Sequence, residues 1–194
     1  MILFKQIRWR NFLSTGNHFT EIDFVKAQTN LIVGTNGAGK STVLDALTFS
    51  LFNKPFRKIT KSQLVNATNE KDCIVEIEFT TPGFDWKIVR GIKPNRFEIW
   101  KDDELLDQNS AVNDQQKWLE ENVLKLNYKS FTQIVVLGSA SFVPFMQLSA
   151  PNRREVIEDI LDIKIFSAMG LILKERVRST NERIRELTIK KDLT

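Results

Sequence analysis

The chain has 194 residues, of which 42% are hydrophobic and 27% charged, the balance of an ordinary globular protein with one well-buried core. Its 28 basic and 24 acidic residues leave a formal charge of +4, which permits a nucleic-acid partner without requiring one. The single cysteine, Cys73, excludes a disulfide framework and favours a reducing compartment. Neither a signal peptide nor an apolar run of the ~20 residues that span a bilayer is present, so we expect an intracellular protein.

The N-terminal part of the sequence predicts three strands and a helix. Alternating apolar and polar residues indicate strands over residues 2–12 and 19–25, and an apolar triplet indicates a short strand over residues 31–33. Apolar residues at helical spacing predict a helix from about Lys40 to Asn53. A glycine-rich segment therefore lies between a strand and a helix.

That segment has the P-loop pattern, with nucleotide-binding candidates Gly34, Thr35, Asn36, Gly37, Ala38, Gly39, Lys40, Ser41 and Thr42. Its glycines let backbone amides approach phosphates, and the following helix presents its positive N-terminus to the anion. Lys40 can reach the β- and γ-phosphates as a catalytic lysine, and the Ser41 hydroxyl is a candidate ligand for Mg²⁺. We therefore predict ATP and Mg²⁺ as cofactors, in preference to a fortuitous glycine turn.

The middle of the chain predicts a β-rich region. Residues 53–72 have no sustained periodicity and indicate an irregular surface connection, whereas residues 73–79, 86–92 and 97–100 alternate as antiparallel strands of a β-subdomain. Cys73 lies in the first of these strands, as a small buried hydrophobe would. Beyond them, the sequence predicts a helix over residues 112–124, a buried strand over residues 134–137 and a helix with Pro151 in its first turn.

A heptad pattern follows residue 153. One seam position is occupied by Ile163, Val177 and Ile184, and the other by Phe166, Leu173 and Leu187. The pattern predicts the start of a coiled coil; because only ~3 heptads are visible, a terminal amphipathic helix docked on its own domain is the alternative. We expect an ATP-binding lobe over residues 1–150 and the root and first helix of the coil over residues 151–194.

Hydrolysis also needs an acidic strand end for Mg²⁺, and the sequence offers none after the P-loop. No apolar run of four residues ends in a paired Asp-Glu, and Ile160-Leu161-Asp162 lies in helical periodicity. We therefore expect an ATPase whose catalytic carboxylates lie outside this chain, so that the chain alone is inactive.

Four parts of the sequence match the motifs of one family: Arg10-Asn11-Phe12-Leu13-Ser14, the P-loop segment 30–47, residues 131–146 and residues 153–161. They resemble the SMC-like ABC ATPases of DNA repair and recombination, specifically the large subunit of the bacterial SbcCD-type nuclease complex and its tailed-phage counterpart. In that family, residues 131–146 correspond to the Q-loop region and residues 153–161 to the coil root. The resemblance implies an α/β P-loop fold of ABC type, here an N-terminal lobe with an antiparallel β-subdomain and the start of an antiparallel coiled coil.

The resemblance also implies partners and a setting. ATP would be sandwiched between two heads of a homodimer, with the signature motif and Walker B carboxylates supplied by a C-terminal lobe of the same protein. A nuclease subunit would dock at the coil root near residues 157–173, and DNA would be the substrate of the complex, in the cytoplasm of a bacterium or a phage-infected host. A structural chromosome-organising SMC protein without a nuclease is the alternative. A small P-loop kinase is disfavoured by the coil.

Individual site residues follow from the same resemblance. Ser14 matches the family, whereas Leu13 stands where the family often has an arginine near the nucleotide. Asn66 and Thr68 fall in the segment near the base and ribose, or in a surface turn. Ser139 occupies the position of the Q-loop glutamine, and Gln133, six residues earlier, is a structural residue of the strand.

Other polar residues carry weaker hypotheses. A basic cluster of Lys54, Arg57, Lys58 and Lys61 follows the P-loop helix and could contact a DNA backbone or form a solvated loop.

Overall fold

The computed structural model describes residues 2–107, 112–136, 145–161 and 163–192. Its strands are β1 (Leu3–Arg10), β2 (Thr20–Asp23), β3 (Cys73–Thr81), β4 (Phe84–Ile92), β5 (Arg96–Lys101) and β6 (Glu104–Leu105). Its helices are α1 (Thr42–Phe52), α2 (Val112–Trp118), α3 (Tyr128–Ile134), α4 (Ala150–Ile160) and α5 (Lys164–Asp192). Short 3₁₀ turns span Lys61–Leu64 and Phe145–Gln147, and α2 continues as a π-helical segment over Leu119–Leu124. The chain divides into two compact units, Met1–Pro144 and Phe145–Thr194.

All six strands form one antiparallel sheet in the order β2-β1-β3-β4-β5-β6. A row of directly paired isoleucines, Ile7, Ile77, Ile88 and Ile99, crosses its four central strands, and every member is buried. Period-two alternation in the sequence produces this row because successive side chains of a strand point to opposite faces. The strands predicted over residues 2–12 and 19–25 and those of the β-subdomain are confirmed, and they belong to a single continuous sheet.

Helix α1 packs on the apolar face of that sheet against β1, β3 and β4. The ring of Phe49 lies 5.8 Å from that of Phe12, and the ring of Phe52 lies 5.1 Å from that of Phe131, so the helix packs on the turn after β1 on one side and on α3 on the other. Asn53 ends α1 in a left-handed conformation with its N–H bonded to the carbonyl of Phe49. The helix end predicted from the sequence is confirmed.

A buried arginine fixes the C-terminal end of α1 to the sheet. Arg90 of β4 donates from Nε to the carbonyl oxygen of Ser50 at 2.7 Å, and its guanidinium lies over the ring of Phe97. Its Nη2 donates to Gln116, whose own amide donates to the carbonyl of Leu51. Burial lowers the pKa of Arg90 to about 9. Two of the last carbonyls of α1, those of Ser50 and Leu51, are thereby satisfied outside the helix.

Cys73 is fully buried in β3, and this burial raises the pKa of its thiol to about 12. The expectation of a small buried hydrophobe is confirmed by this burial. A thiol that holds its proton is also a poor nucleophile.

The apolar triplet at residues 31–33 is not a strand. Leu31 and Val33 are 87% and 80% exposed, and no strand in the described part of the chain pairs with them. Apolar side chains alone do not make a strand, because the extended backbone must find a neighbour for its N–H and C=O groups. The strand predicted here is therefore wrong for this structure.

The buried strand predicted for residues 134–137 is wrong as well. Ile134 is the last residue of α3, and the N–H of Val135 donates to Phe131, which continues the helical pattern. Asn127 caps this helix by accepting a hydrogen bond from the N–H of Ser130 at 2.9 Å. A short apolar run does not distinguish a strand from a helix. Here the Asn127 cap favours the helix. Leu137 lies outside the described residues.

The second unit contains helices α4 and α5. Pro151 lies in the first turn of α4, as predicted, where the missing N–H costs no helical hydrogen bond. Helix α5 runs for 29 residues, and its seam residues Phe166, Leu173, Val177, Ile184 and Leu187 are all more than half exposed. Among the described helices, none is long and apolar enough to cross a membrane.

Candidate nucleotide site at the P-loop

The glycine-rich loop leads directly into the N-terminus of α1. Gly37 and Gly39 both have φ of +87°, a conformation that glycine adopts freely and residues with a Cβ rarely adopt. The N–H of Ala38 donates to Thr35, and the N–H of Thr42 donates to Gly39, so the loop turns tightly before the helix begins. The backbone therefore has the open, amide-rich turn that a phosphate chain requires.

Lys40 is held over this loop. Its Nζ donates to the carbonyl oxygens of Gly34 and Thr35, both at 2.7 Å. A lysine ammonium carries three donors, so these two bonds fix its position and leave one for another acceptor. The lysine thus lies beside the backbone turn formed by Gly37 and Gly39.

Ser41 occupies the N-cap position of α1 and is exposed. Its side chain makes no capping hydrogen bond, although serine is a preferred capping residue. The hydroxyl is therefore available at the positive end of the helix, where an anion and a Mg²⁺ ion bound to it would meet.

A cleft of ≈ 540 Å³ opens beside the loop. The P-loop contributes Asn36, Gly37, Gly39, Lys40, Ser41 and Thr42 to its lining. The rest of the lining comes from the turn after β1 and from the connection between α1 and β3, namely Leu13, Ser14, Arg57, Gln63, Val65 and Ala67. Ser14, proposed from its position in the sequence, is thus brought to the same cleft as the P-loop.

Arg57 is a cleft residue that the sequence placed only in a basic cluster. Its Nε donates to Oδ2 of Asp45 at 2.6 Å, and its main-chain N–H donates to Oδ1 of the same carboxylate at 3.0 Å. Asp45 is fully buried in the first turns of α1, whereas the side chain of Arg57 is 47% exposed. In the sequence, Asp45 itself indicates such a pair, because a carboxylate on the buried side of an apolar helix requires a cation or hydrogen-bond donors nearby.

Two other members of the basic cluster are engaged within the fold. The Nζ of Lys54 lies over the ring of Tyr128, and that of Lys61 lies over the ring of Phe49. Burial, and secondarily the charge of Arg90, lowers the pKa of Lys61. The cluster is therefore not a uniform solvated stripe of lysines and arginines.

Asn66 and Thr68 do not line the cleft. Asn66 is 9% exposed. Its Nδ2 donates two hydrogen bonds and its Oδ1 accepts two, all of them with the main chain of the protein. Thr68 is exposed, and its N–H donates to Oδ1 of Asn66 at 3.0 Å. The side chain of Asn66 thus holds the neighbouring backbone, and the contact of Asn66 and Thr68 with a nucleotide stays a prediction.

The Q-loop position Ser139 lies outside the described residues. Gln133 lies in α3 rather than in a strand, and its Oε1 is buried without a hydrogen-bond donor among the described residues.

The chain is similar to several known proteins. The model of the AAA domain family matches residues 6–193. Exonuclease subunit 2 of Escherichia phage RB69 is 43% identical over 96% of this chain, and a DNA double-strand break repair Rad50 ATPase of Thermoplasma volcanium is 29% identical over 90% of it. A structure from a study of ATP-driven dimerization and DNA-stimulated activation of SMC ATPases matches with a TM-score of 0.58, at 25% identity, over 81% of this chain and 99% of that one.

The chain spans 33% of the phage exonuclease subunit and 19% of the Rad50 ATPase, so it corresponds to one part of each. The matches extend from β1 through the P-loop into α5, and they confirm the resemblance drawn from the sequence motifs. The chain belongs to the AAA domain family, and it is similar to one part of the SMC-like ABC ATPases of DNA repair and recombination.

Proposed function

We propose that this chain binds ATP with Mg²⁺ in the P-loop cleft and serves as the ATP-binding lobe of an ATPase that regulates a nuclease in DNA double-strand-break end processing and recombination. The observation that carries the proposal is the convergence, in one cleft, of a glycine turn, the positioned Lys40 and the N-terminus of α1. The names of the relatives support the biological setting.

In this proposal each loop residue has a distinct task. The amides around Gly37 and Gly39 hold the phosphate oxygens, and Lys40 exchanges its loop carbonyls for the β- and γ-phosphates. The Ser41 hydroxyl, which has no capping bond, fits a hard cation that prefers oxygen ligands. Mg²⁺ bound there would neutralise charge on the phosphates during transfer.

The described residues hold no carboxylate pair at a strand end beside the cleft that could complete the catalytic machinery. We propose that the signature motif and Walker B carboxylates come from a C-terminal lobe, and that two such heads close on ATP. In this arrangement, residues 151–194 form the coil root and its first helix, a nuclease subunit docks near residues 157–173, and DNA is the substrate of the complex. The chain alone then binds ATP but turns it over negligibly.

Lys40→Ala tests the site. The mutation removes the ammonium from the loop without touching the core, so we expect loss of ATP binding with an unchanged thermal unfolding midpoint, measured by titration calorimetry and circular dichroism. Equal affinity of mutant and wild type would refute the P-loop assignment. Steady Mg²⁺-dependent turnover by the purified chain, abolished by the mutation, would refute only the dependence on a missing lobe.

A nuclease partner separates this function from that of a structural SMC protein. Copurification with the nuclease subunit of the same source should depend on residues 162–194, which a truncation after Leu161 removes. Lack of any such complex with the full chain would favour the structural alternative.

A further inference from the structure

The side chain of Asn66 joins two segments that are distant in sequence. Its Nδ2 donates to the carbonyl oxygens of Leu13 at 3.0 Å and Thr15 at 3.1 Å. Its Oδ1 accepts from the main-chain N–H groups of Thr68 and Asn69, both at 3.0 Å. One buried amide therefore holds the turn after β1 against the start of the connection to β3, with every polar atom satisfied.

We call this contact of residues 64–69 with residues 11–15 the clamp, and main-chain hydrogen bonds complete it. Phe12 and Val65 form an isolated antiparallel bridge, the N–H of Leu13 donates to Leu64 at 2.7 Å, and the N–H of Asn66 donates to Asn11 at 2.9 Å. The two segments are thus paired like short strands, and the Asn66 amide closes the end of the pairing. Ser14 and Ala67, which lie next to these contacts, line the cleft.

The clamp holds a conformation that the backbone would not adopt by itself. Leu13 has φ of +53°, in the left-handed region, which is unfavourable for a side chain with a Cβ. Such residues persist where surrounding contacts determine them, and they cluster at ligand sites. The carbonyl of Leu13 is one of the two that Asn66 holds, so the amide acts at the strained residue itself.

The surface shaped by this clamp differs from the P-loop side of the cleft. Leu13, Val65 and Ala67 are apolar, Ser14 and Gln63 add a few polar groups, and Arg57 adds a guanidinium that is bonded to Asp45. A lining of apolar surface with few polar groups suits a flat ring and a sugar, whereas the glycine turn and Lys40 suit phosphates. The two parts of the lining therefore match the two parts of a nucleotide.

We infer that Asn66 is a positioning residue: it holds the turn at Leu13 and Ser14 against residues 65–67 and so shapes the part of the cleft that receives the nucleoside of ATP. The inference rests on the proposed binding of ATP at the P-loop. It assigns Asn66 an indirect role, through the backbone carbonyls of Leu13 and Thr15, rather than a contact with the ligand.

The test compares two ligands that share the phosphate chain. The affinities of the full 194-residue chain for Mg²⁺-ATP and for Mg²⁺-tripolyphosphate are measured by titration calorimetry, for wild type and for Asn66→Ala. We expect the mutation to weaken ATP about tenfold, the effect of ~1.4 kcal/mol, and to leave tripolyphosphate within about twofold. Asn122→Ala is the matched control, because its exposed amide donates to the carbonyl oxygen of Trp118 and the residue does not line the cleft, so it should leave both affinities unchanged.

A second variant covers the case in which Asn66→Ala fails to fold. Ala67 is exposed in the cleft lining, so Ala67→Trp fills the nucleoside part while leaving the Asn66 amide in place. It should weaken ATP at least about tenfold and again spare tripolyphosphate.

The remaining outcomes are decisive in the other direction. Equal weakening of both ligands by Asn66→Ala in a folded protein would overturn the inference, because the clamp would then act on the P-loop. Unchanged affinity for ATP in either variant would overturn it also. If neither ligand binds the wild-type chain, the proposed function fails and the inference fails with it, whereas binding of tripolyphosphate without a preference for ATP refutes the inference alone.

Discussion

Helices α1 and α5 both carry many apolar side chains, but their surroundings differ. In α1 every residue except Leu44 is buried, and Phe49 and Leu51 are fully enclosed. In α5 the apolar residues are exposed, with Phe166 at 66% and Leu173 at 62%. The sheet and helix α3 cover α1, whereas no part of the described chain covers the seam of α5. The same apolar character therefore supports the core in one helix and leaves a surface for association in the other.

The difference fits the tasks proposed for the two helices. The N-terminus of α1 carries the P-loop, and its C-terminus is bonded to Arg90 and Gln116, so the end proposed to bind phosphate belongs to a helix whose opposite end is fixed to the sheet. Helix α5 has an ion pair between Arg178 and Glu182 on its surface, and its apolar seam is exposed among the described residues. An exposed apolar seam of this length favours a partner helix.

The largest expected effect is on the stability of the core. Phe49→Ala should lower the free energy of unfolding by ~3–5 kcal/mol, because it removes a fully buried ring that packs on Phe12. Val177→Ala removes an exposed seam residue and should change it by less than about 0.5 kcal/mol. Urea denaturation of both variants measures the contrast, and similar costs would mean that α5 is a docked core element.

A smaller effect is expected at the buried carboxylate of α1. Asp45→Asn replaces one acceptor oxygen with a donor, so either the N–H or the Nε of Arg57 loses its partner, at a cost of ~1–3 kcal/mol. Asp85→Asn is the control: its ion pair with Lys5 is largely exposed and should contribute ~0–1 kcal/mol. Denaturation curves in which the two mutations cost the same would show that burial of Asp45 adds nothing to the pair.

The smallest effect on the nucleotide site is expected from the seam. Truncation after Leu161 removes α5 and should abolish concentration-dependent self-association, since each buried seam side chain contributes ~1.5–3 kcal/mol to a helix pair. Affinity for ATP should stay within about twofold. Analytical ultracentrifugation and calorimetry measure the two properties. A full chain that sediments as a monomer at all concentrations, together with a truncated chain that unfolds, would refute the coiled-coil interpretation.

Predictions from the sequence succeeded where a pattern was long or where its chemistry was local. Period-two alternation located the central strands, and helical spacing located α1 to within two residues. They failed for residues 31–33 and 134–137, both short apolar runs. In the first, no described strand pairs with the backbone; in the second, the Asn127 cap begins a helix that includes Ile134. A run of three or four apolar residues states that burial is favourable, but not which backbone conformation will achieve it.

The sequence by itself determined the proposed phosphate-binding part of the site, because a glycine turn, a lysine and a helix N-terminus lie within nine consecutive residues and their geometry follows from local backbone preferences. Only the tertiary structure decided the rest of the cleft. Asn66 reaches Leu13 and Thr15 across more than fifty residues of sequence, and Arg57 meets Asp45 from beyond the end of α1. Hydrogen bonds of this kind depend on two segments being brought within about 3 Å, and that proximity is created by the packing of α1 on the sheet rather than by the residues on either side.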